Sequence, residues 1–262
     1  MEPEPAHLGL KYAGQFQDRG LVEVYHHRRP YPDEAIEKLV ELVTDEPRAI
    51  LDVGCGTGDL ARRLVQWVER VDAVDFSSAM IEKGKTLPDG DDSRLHWIYG
   101  RIEEVALQPP YALITAGESL HWMQWNVVLP LFRRILTPHG YLALVMRDSE
   151  QNPWDEDLGR LIARFSTNQE FAPYDLTEEL ERRGLFQPHG VLNTKPIPVV
   201  QSGEDYIRSL HSMNGLSRER MGKQGAEAFD REVRRLLASH LDDGQVRLSV
   251  ISRVVWGLPQ EP

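Results

Sequence analysis

The chain has 262 residues, enough for one sizeable α/β domain with an insertion or for two small domains. Hydrophobic residues make up 41% and charged residues 27%, the ordinary balance of a globular protein. The formal net charge of −11 argues against nonspecific nucleic-acid binding, which needs a basic face, although it does not exclude a local basic patch.

Cysteine usage and the N-terminal composition indicate a compartment. Cys55 is the only cysteine, so no internal disulfide can form, which is consistent with a reducing cytoplasm. Residues 1–5 are acidic and have no apolar core, so we expect no signal peptide. No apolar run is long enough to span a membrane. We therefore expect a cytoplasmic protein that binds no membrane.

Two prolines interrupt the N-terminal part of the chain. Residues 1–14 form a lead that contains proline and glycine, and a short helix is predicted within residues 16–25. Pro30 and Pro32 then fix an extended or turning backbone and stop any helix. The next helix is predicted to begin near Asp33.

Residues 50–58 read Ile-Leu-Asp-Val-Gly-Cys-Gly-Thr-Gly, an apolar strand followed by a turn of small residues. From residue 59 onward the apolar residues recur at helical spacing over residues 60–68. A strand, a glycine turn and a helix place backbone N–H groups at the carboxyl edge of a sheet, where nucleotide-like ligands bind. The glycines let such a ligand approach the backbone without a Cβ in the way.

Asp59 decides which ligand the turn favours. It stands where the third glycine of a dinucleotide-binding fingerprint would be. A carboxylate there would repel a pyrophosphate, which disfavours a nicotinamide oxidoreductase. A ligand that has no phosphate and carries a positive centre meets no such conflict.

The motif LDVGCGTG resembles the first motif of the class I S-adenosylmethionine-dependent methyltransferases. The resemblance extends over most of the chain. The alternative interpretation of the motif is a glycine turn that joins a strand to a helix and binds no ligand. It implies a Rossmann-like α/β fold whose seven-stranded sheet is mostly parallel with an antiparallel last strand. It also implies that S-adenosyl-L-methionine is the cofactor. The cofactor-binding residues implied in this motif are Asp52, Gly54, Cys55, Gly56, Thr57 and Gly58.

Residues 71–75 predict the second strand, and Asp75 at its end is suited to the ribose hydroxyls of the cofactor. Two acceptor oxygens match two adjacent hydroxyl donors. Phe76 is expected to pack on the adenine. Ser77 is a good N-cap for a helix that carries Met80, which we also assign to the cofactor site.

Residues 95–99 predict the third strand. The strand is followed by Arg101, Ile102 and Glu103. The family often has Gly-Asp-Ala-Glu beside the adenine, and residues 100–103 are the counterpart of that motif. Arg101 replaces the usual acid of this motif, so a bond from that acid to the adenine amino group is not expected. Backbone groups of these residues remain available to contact the ring.

Residues 111–115 predict the fourth strand, which leads into Ala116 and the run Ser-Leu-His-Trp at residues 119–122. This run resembles the corresponding segment of small-molecule methyltransferases similar to trans-aconitate methyltransferase. The resemblance places Ala116 beside the cofactor. His121 is a general base or a polar residue of the wall, and Trp122 is a core residue or a substrate platform.

The segment that holds Tyr25 and Arg29 also resembles these families, in which it closes over the amino-acid end of the cofactor. The arginine would offer a charge-assisted bond to the cofactor carboxylate. The alternative is a solvated basic turn.

The rest of the chain predicts further crossover elements of a parallel sheet. A helix with apolar residues over 127–135, a turn at residues 137–140 and a fifth strand at residues 141–146 follow one another. Beyond residue 147 we predict helices at residues 154–165 and 177–184, a sixth strand at 191–200, two helices at about 202–240 and a last, antiparallel strand at 246–256.

These elements predict one domain over residues 1–262. It comprises an N-terminal helical segment at 1–45, a cofactor-binding core at 46–147 and a helical cap at about 202–240. The cap is expected to cover the active site, and a dimer contact is its alternative role. A homodimer is therefore possible.

The expected function is methyl transfer to a small-molecule acceptor by in-line displacement, for which the enzyme must chiefly align the nucleophile and the methyl group. No metal-binding cluster and no nucleic-acid partner are expected. The alternatives are an RNA-modifying methyltransferase and a noncatalytic S-adenosylmethionine-binding protein.

Overall fold

A computed structural model describes residues 13–170 and 174–260 of the chain. It divides into two compact units. The glycine-turn unit comprises Pro30–Asp148, Tyr174–Lys195 and Ile251–Pro262, and the helical unit comprises Met1–Arg29, Ser149–Pro173 and Pro196–Val250. Of the predicted lead at residues 1–14, residues 1–12 lie outside the described part. The single-domain organisation stays a prediction of the sequence.

The strands follow the sequence pattern closely in the first half of the chain. They are β1 Ala49–Val53, β2 Arg70–Asp75, β3 Leu95–Tyr99, β4 Tyr111–Gly117, β5 Leu136–Ser149, β6 Phe186–Asn193, β7 Ile197–Ser202 and β8 Gln245–Pro259.

The helices include nine α-helical segments in the described part of the chain. They are α1 Arg19–Val24, α2 Asp33–Glu41, α3 Ala61–Leu64, α4 Ser78–Lys85, α5 Trp125–Ile135, α6 Asp155–Phe165, α7 Leu176–Arg182, α8 Gly203–Leu210 and α9 Arg218–Leu237.

The glycine-turn unit is built on a sheet with the strand order β3-β2-β1-β4-β5-β8-β6. The pairs β1–β2, β1–β4, β2–β3 and β4–β5 are parallel, whereas β6 pairs antiparallel with β8. This confirms the predicted mostly parallel sheet with an antiparallel last strand. The carboxyl ends of β1, β2 and β4 thereby come to the same edge, which is where ligands bind in such sheets.

All five residues of β1 are buried, as expected for a central parallel strand that is covered on both faces. The helix α2 begins at Asp33, as predicted, and buries Ala35, Ile36 and Leu39 in the same core. The helix predicted over residues 60–68 is short, because α3 ends at Leu64 and a 3₁₀ turn at Val65–Trp67 continues it.

The prediction of one strand at residues 191–200 is wrong. The chain forms β6 and β7 instead, which pair with different halves of β8. Between them the Thr194 N–H donates to the Ser252 carbonyl at 2.9 Å, but the Ser252 N–H donates to the Thr194 hydroxyl at 2.8 Å. The side chain thus takes the place of a main-chain acceptor and interrupts the ladder.

The predicted turn at residues 137–140 lies inside β5. Tyr111 of β4 pairs with Leu136, and Leu113 pairs with Tyr141. Residue 112 therefore faces four residues of β5, which loop out of the register.

The helical unit has its own core, formed by α6, α8, α9, β7 and the first half of β8. Phe229 of α9 is fully buried in it, and Trp154 donates from Nε1 to the Tyr206 hydroxyl at 3.1 Å. Ser202 is the N-cap of α8, because its hydroxyl accepts from the Asp205 N–H at 3.0 Å. The cap role of α8 and α9 stays a prediction.

None of the helices within residues 13–170 and 174–260 is long and apolar enough to cross a membrane.

Candidate functional site

The turn after β1 has a backbone that glycine favours. Gly54, Gly56 and Gly58 have φ values of 63°, 56° and 77°, in the left-handed region that side chains with a Cβ rarely adopt. The Cys55 N–H donates to the Val74 carbonyl at 3.0 Å, and the Gly58 N–H donates to the Cys55 carbonyl at 2.8 Å. These bonds fix the turn against the end of β2.

The space beside two of these glycines is taken by the chain's own side chains. A Cβ on Gly54 would lie 2.6 Å from the Ser119 Cβ, and one on Gly58 would lie 2.5 Å from Trp97 Cη2. At these two positions, the absence of a Cβ serves internal packing. For Gly56, the expectation that a missing Cβ lets a ligand approach the backbone stays a prediction.

Asp75 stands at the end of β2, with its carboxylate against the turn. Its Oδ2 accepts from the Gly56 N–H and its Oδ1 from the Ser77 N–H, both at 2.7 Å. Burial raises the pKa of this carboxyl to about 6. Each carboxylate oxygen can accept a second hydrogen bond, so the group retains acceptor capacity for two hydroxyl donors.

Asp52 is a second buried carboxyl near the turn. It is 2% exposed and accepts from the Thr115 hydroxyl at 2.8 Å. Burial raises its pKa to about 7, and the carboxylates of Asp75 and Asp59 add to the rise. Burial, together with the carboxylates of Asp75 and Asp52, also raises the pKa of the Cys55 thiol above its usual range.

The residues assigned to the adenine follow the ends of β2 and β3. Met80 and Ile102 are buried, whereas Phe76 is half-buried. The Gly100 N–H donates to the Asp75 carbonyl at 3.0 Å, which holds the segment after β3 beside the end of β2. Arg101 Nη2 lies 3.3 Å from Glu103 Oε1, so these two assigned residues form an ion pair.

The segment after β4 is held against the glycine turn. Ala116 is buried and pairs with Leu144 of β5, and the Ser119 hydroxyl donates to the Val53 carbonyl at 2.6 Å. His121 follows in a 3₁₀ turn at Leu120–Trp122 and is half-buried, with its ring centroid 4.5 Å from that of Trp122.

The sequence reasoning missed Arg147 near the end of β5. Its Nε and Nη2 donate to Glu118 Oε2 at 3.1 and 2.8 Å, and its Nη1 donates to Asp59 Oδ2 at 3.1 Å. Its guanidinium lies over the Tyr31 ring, 4.4 Å from the centroid. The available signal was a basic residue near the end of the fifth strand and acids in the segments that follow the first and fourth strands.

Tyr25 and Arg29 belong to the helical unit. The Tyr25 hydroxyl accepts from Arg28 Nη1 at 3.2 Å, and Arg29 Nη1 donates to the Ser149 hydroxyl at 2.8 Å. Their assignment to the cofactor stays a prediction. Across the described residues, no three His, Cys, Asp or Glu side chains are grouped so that they could hold a metal ion.

Comparison with known proteins identifies the region around the turn. Residues 50–140 match the family model of a methyltransferase domain. This part of the chain is similar to that family. The match covers the glycine turn, Asp75 and the segment after β4, and it confirms the resemblance to methyltransferases that the motif indicated.

Two curated relatives match beyond this region. An uncharacterized methyltransferase of Mycobacterium bovis is 32% identical over 147 residues, which cover 55% of this chain and 57% of that protein. The trans-aconitate 2-methyltransferase of Streptomyces avermitilis is 29% identical over 133 residues, which cover 49% of each chain. The chain thus spans about half the length of these relatives.

A solved structure supports the fold. A proposed type II methyltransferase from Anaeromyxobacter dehalogenans aligns with a TM-score of 0.59 and 20% sequence identity, over 89% of this chain and 99% of that one. At this identity the likeness shows a common fold, which agrees with the strand order described above.

Proposed function

We propose that the chain transfers the methyl group of S-adenosylmethionine to a small-molecule acceptor. The observation that carries this proposal is the buried carboxylate of Asp75, held by the Gly56 and Ser77 N–H groups at the end of β2. The family match and the relatives named as methyltransferases support the same reading.

The residues of the glycine-turn unit fit this cofactor. Asp75 would accept from the ribose hydroxyls, and the buried Ile102 and half-buried Phe76 would pack against the adenine. The carboxylate of Asp75 gives the turn a negative charge that suits a cationic cofactor and opposes a pyrophosphate, whereas the carboxylate of Asp59 is paired with Arg147. When bound, S-adenosylmethionine supplies a methyl group activated by its sulfonium.

In that transfer the acceptor's lone pair would form the new bond to the methyl carbon, while the carbon–sulfur bond would break and leave its electron pair on sulfur. An acceptor O–H or N–H also loses its proton, for which His121 is the proposed base. A carboxylate acceptor carries no such proton, and His121 would then only position it. The Streptomyces relative is named for trans-aconitate, a carboxylate, so a small anionic acceptor belongs to the first set to be assayed.

Calorimetric titration tests the cofactor assignment. We expect the protein to bind S-adenosylhomocysteine and not NAD. Asp75→Ala should weaken that binding by about 1–3 kcal/mol, because it strands the hydroxyl donors of the ligand and the N–H groups of Gly56 and Ser77.

Asp72→Asn is the matched control. Asp72 lies in the same strand, is 1% exposed and accepts from the Tyr111 hydroxyl at 2.6 Å, away from the turn. It should affect stability but leave the dissociation constant unchanged. Equal affinity of wild type for NAD, or an Asp75→Ala variant that binds like wild type, would contradict the assignment.

A further inference from the structure

Arg147, near the end of β5, connects the segments that follow β1 and β4 in the glycine-turn unit. Its side chain is only 6% exposed, yet it contacts two carboxylates, those of Asp59 and Glu118. The Tyr31 ring lies under its guanidinium. These four residues are called the Arg147 cluster.

Each carboxylate of the cluster belongs to a segment of the proposed site. Asp59 directly follows Gly58, the last glycine of the turn. Glu118 lies three residues before His121 and has a φ of 51°, which is uncommon for a residue with a Cβ. Its N–H donates to the Val145 carbonyl at 3.0 Å while its side chain accepts from Arg147. Such a conformation persists only where the surroundings fix it.

Close packing supports the same connection. A Cβ on Gly117 would lie 2.7 Å from the Tyr31 hydroxyl and 2.9 Å from Leu60 Cδ1. Tyr31 and Leu60 therefore press against the backbone of the segment after β4. Ion pairs from Arg147 to Asp59 and Glu118 hold the end of β5 to the glycine turn and to this segment. The packing of Tyr31 and Leu60 holds the same segment in place.

We propose that Arg147 is a positioning residue, which sets the glycine turn through Asp59 and the His121 segment through Glu118, so that cofactor affinity depends on it. The inference rests on the proposed function. At least three guanidinium N–H groups point at carboxylates of the chain itself. A buried cation at this edge would suit an anionic acceptor. The guanidinium is instead engaged by carboxylates of the chain itself, so we assign it a positioning role and not an acceptor-binding role.

Arg147→Met is the test variant, and Arg183→Met is its matched control. Arg183 is 10% exposed, donates from Nε to Glu179 Oε1 at 2.7 Å and lies over the Trp125 ring, at 5.4 Å, in the same unit. Both variants should lower the melting temperature. We expect Arg147→Met to weaken S-adenosylhomocysteine binding at least tenfold in calorimetric titration, whereas Arg183→Met should stay within twofold of wild type.

A double variant tests the route of the effect. If Arg147 acts on the turn through Asp59, the loss in Asp59→Asn combined with Arg147→Met should not exceed the loss in Arg147→Met alone. Fully additive losses would overturn the proposal. So would an Arg147→Met variant whose cofactor affinity is unchanged while the KM for the acceptor rises, since that result identifies an acceptor-binding residue.

Hydrogen exchange gives a readout that needs no cofactor. The Cys55 and Gly58 amides report on the turn, and they should exchange faster in Arg147→Met than in wild type or Arg183→Met. Unchanged exchange would overturn the positioning role. If wild type binds no S-adenosylhomocysteine, the proposed function fails, but the exchange result still decides the role of Arg147.

Discussion

Two buried carboxyls, Asp52 and Asp75, lie close to the same glycine turn, and burial raises the pKa of both. Asp75 accepts two backbone N–H groups, which favour its ionised form, whereas Asp52 accepts one hydroxyl hydrogen bond and one from the Ala61 N–H. The pKa rises further at Asp52, to about 7, than at Asp75, to about 6, and the neighbouring carboxylates of Asp75 and Asp59 add to the rise at Asp52. This difference leaves Asp75 the better ionised acceptor at neutral pH.

Asp52 predicts a specific pH dependence of stability. Its pKa in the folded protein, about 7, lies above the usual 3.8, so the folded state keeps a proton that the unfolded chain loses. Its contribution to stability is complete below pH 4 and falls as the pH rises to 7. Asp52→Asn cannot titrate and still offers an oxygen to Thr115. The difference in unfolding free energy between wild type and variant should therefore change by up to about 4 kcal/mol over this window.

Denaturant titrations at several pH values measure this difference. Above pH 7 the variant should be the more stable protein, because wild type then holds a buried charge. A difference that does not vary with pH would contradict the raised pKa.

His121 carries the prediction on catalysis. His121→Asn keeps a polar group of similar reach but cannot accept a proton at neutral pH. With an acceptor that bears an O–H or N–H, we expect kcat to fall about 10²-fold or more, with unchanged affinity for S-adenosylhomocysteine.

The control variant is His139→Asn. His139 is an exposed histidine in the same unit that pairs with Asp45, and its substitution should leave kcat unchanged. A small change confined to KM would assign His121 to positioning. Full activity would remove it from the site.

At the scale of elements, the sequence predicted the features that depend on neighbouring residues along the chain, such as strand bounds and helix caps. The third strand has the predicted bounds, and Ser77 caps α4 by accepting from the Met80 N–H at 3.3 Å. The loop-out at residues 137–140 and the break between β6 and β7 depend on partner strands. No periodicity within either segment carries that information.

The site was predicted in the same uneven way. Its glycines and Asp75 lie within one continuous motif and the strand that follows it, so spacing sufficed to predict that Asp75 lies close to the turn. The sequence could not show why residue 58 must be a glycine, because the side chain that fills the space beside it, Trp97, comes from β3. Arg147 was missed since its partners come from two segments that are 29 and 88 residues away. An ion pair between carboxyl ends of strands is visible only after the strand order is known.

At the scale of the whole molecule, charge separates the two candidate acceptor classes. The chain carries 41 acidic and 30 basic residues, and its net charge is −11. Binding of RNA draws most of its free energy from phosphates neutralised by Lys and Arg, and an acidic protein is repelled at long range. Many of the arginines are already paired with carboxylates, as Arg147, Arg183 and Arg234 show.

We therefore expect no saturable binding of transfer RNA in fluorescence anisotropy, even at low salt, where electrostatic attraction would be strongest. Incubation with a metabolite extract, total RNA and S-adenosylmethionine labelled on its methyl group should place the label in the acid-soluble small-molecule fraction. The His121→Asn protein serves as the matched background for an acceptor that needs a base. Label in the RNA pellet would contradict the small-molecule assignment, because a protein of this charge would then have to present a local basic surface that outweighs its acidic field.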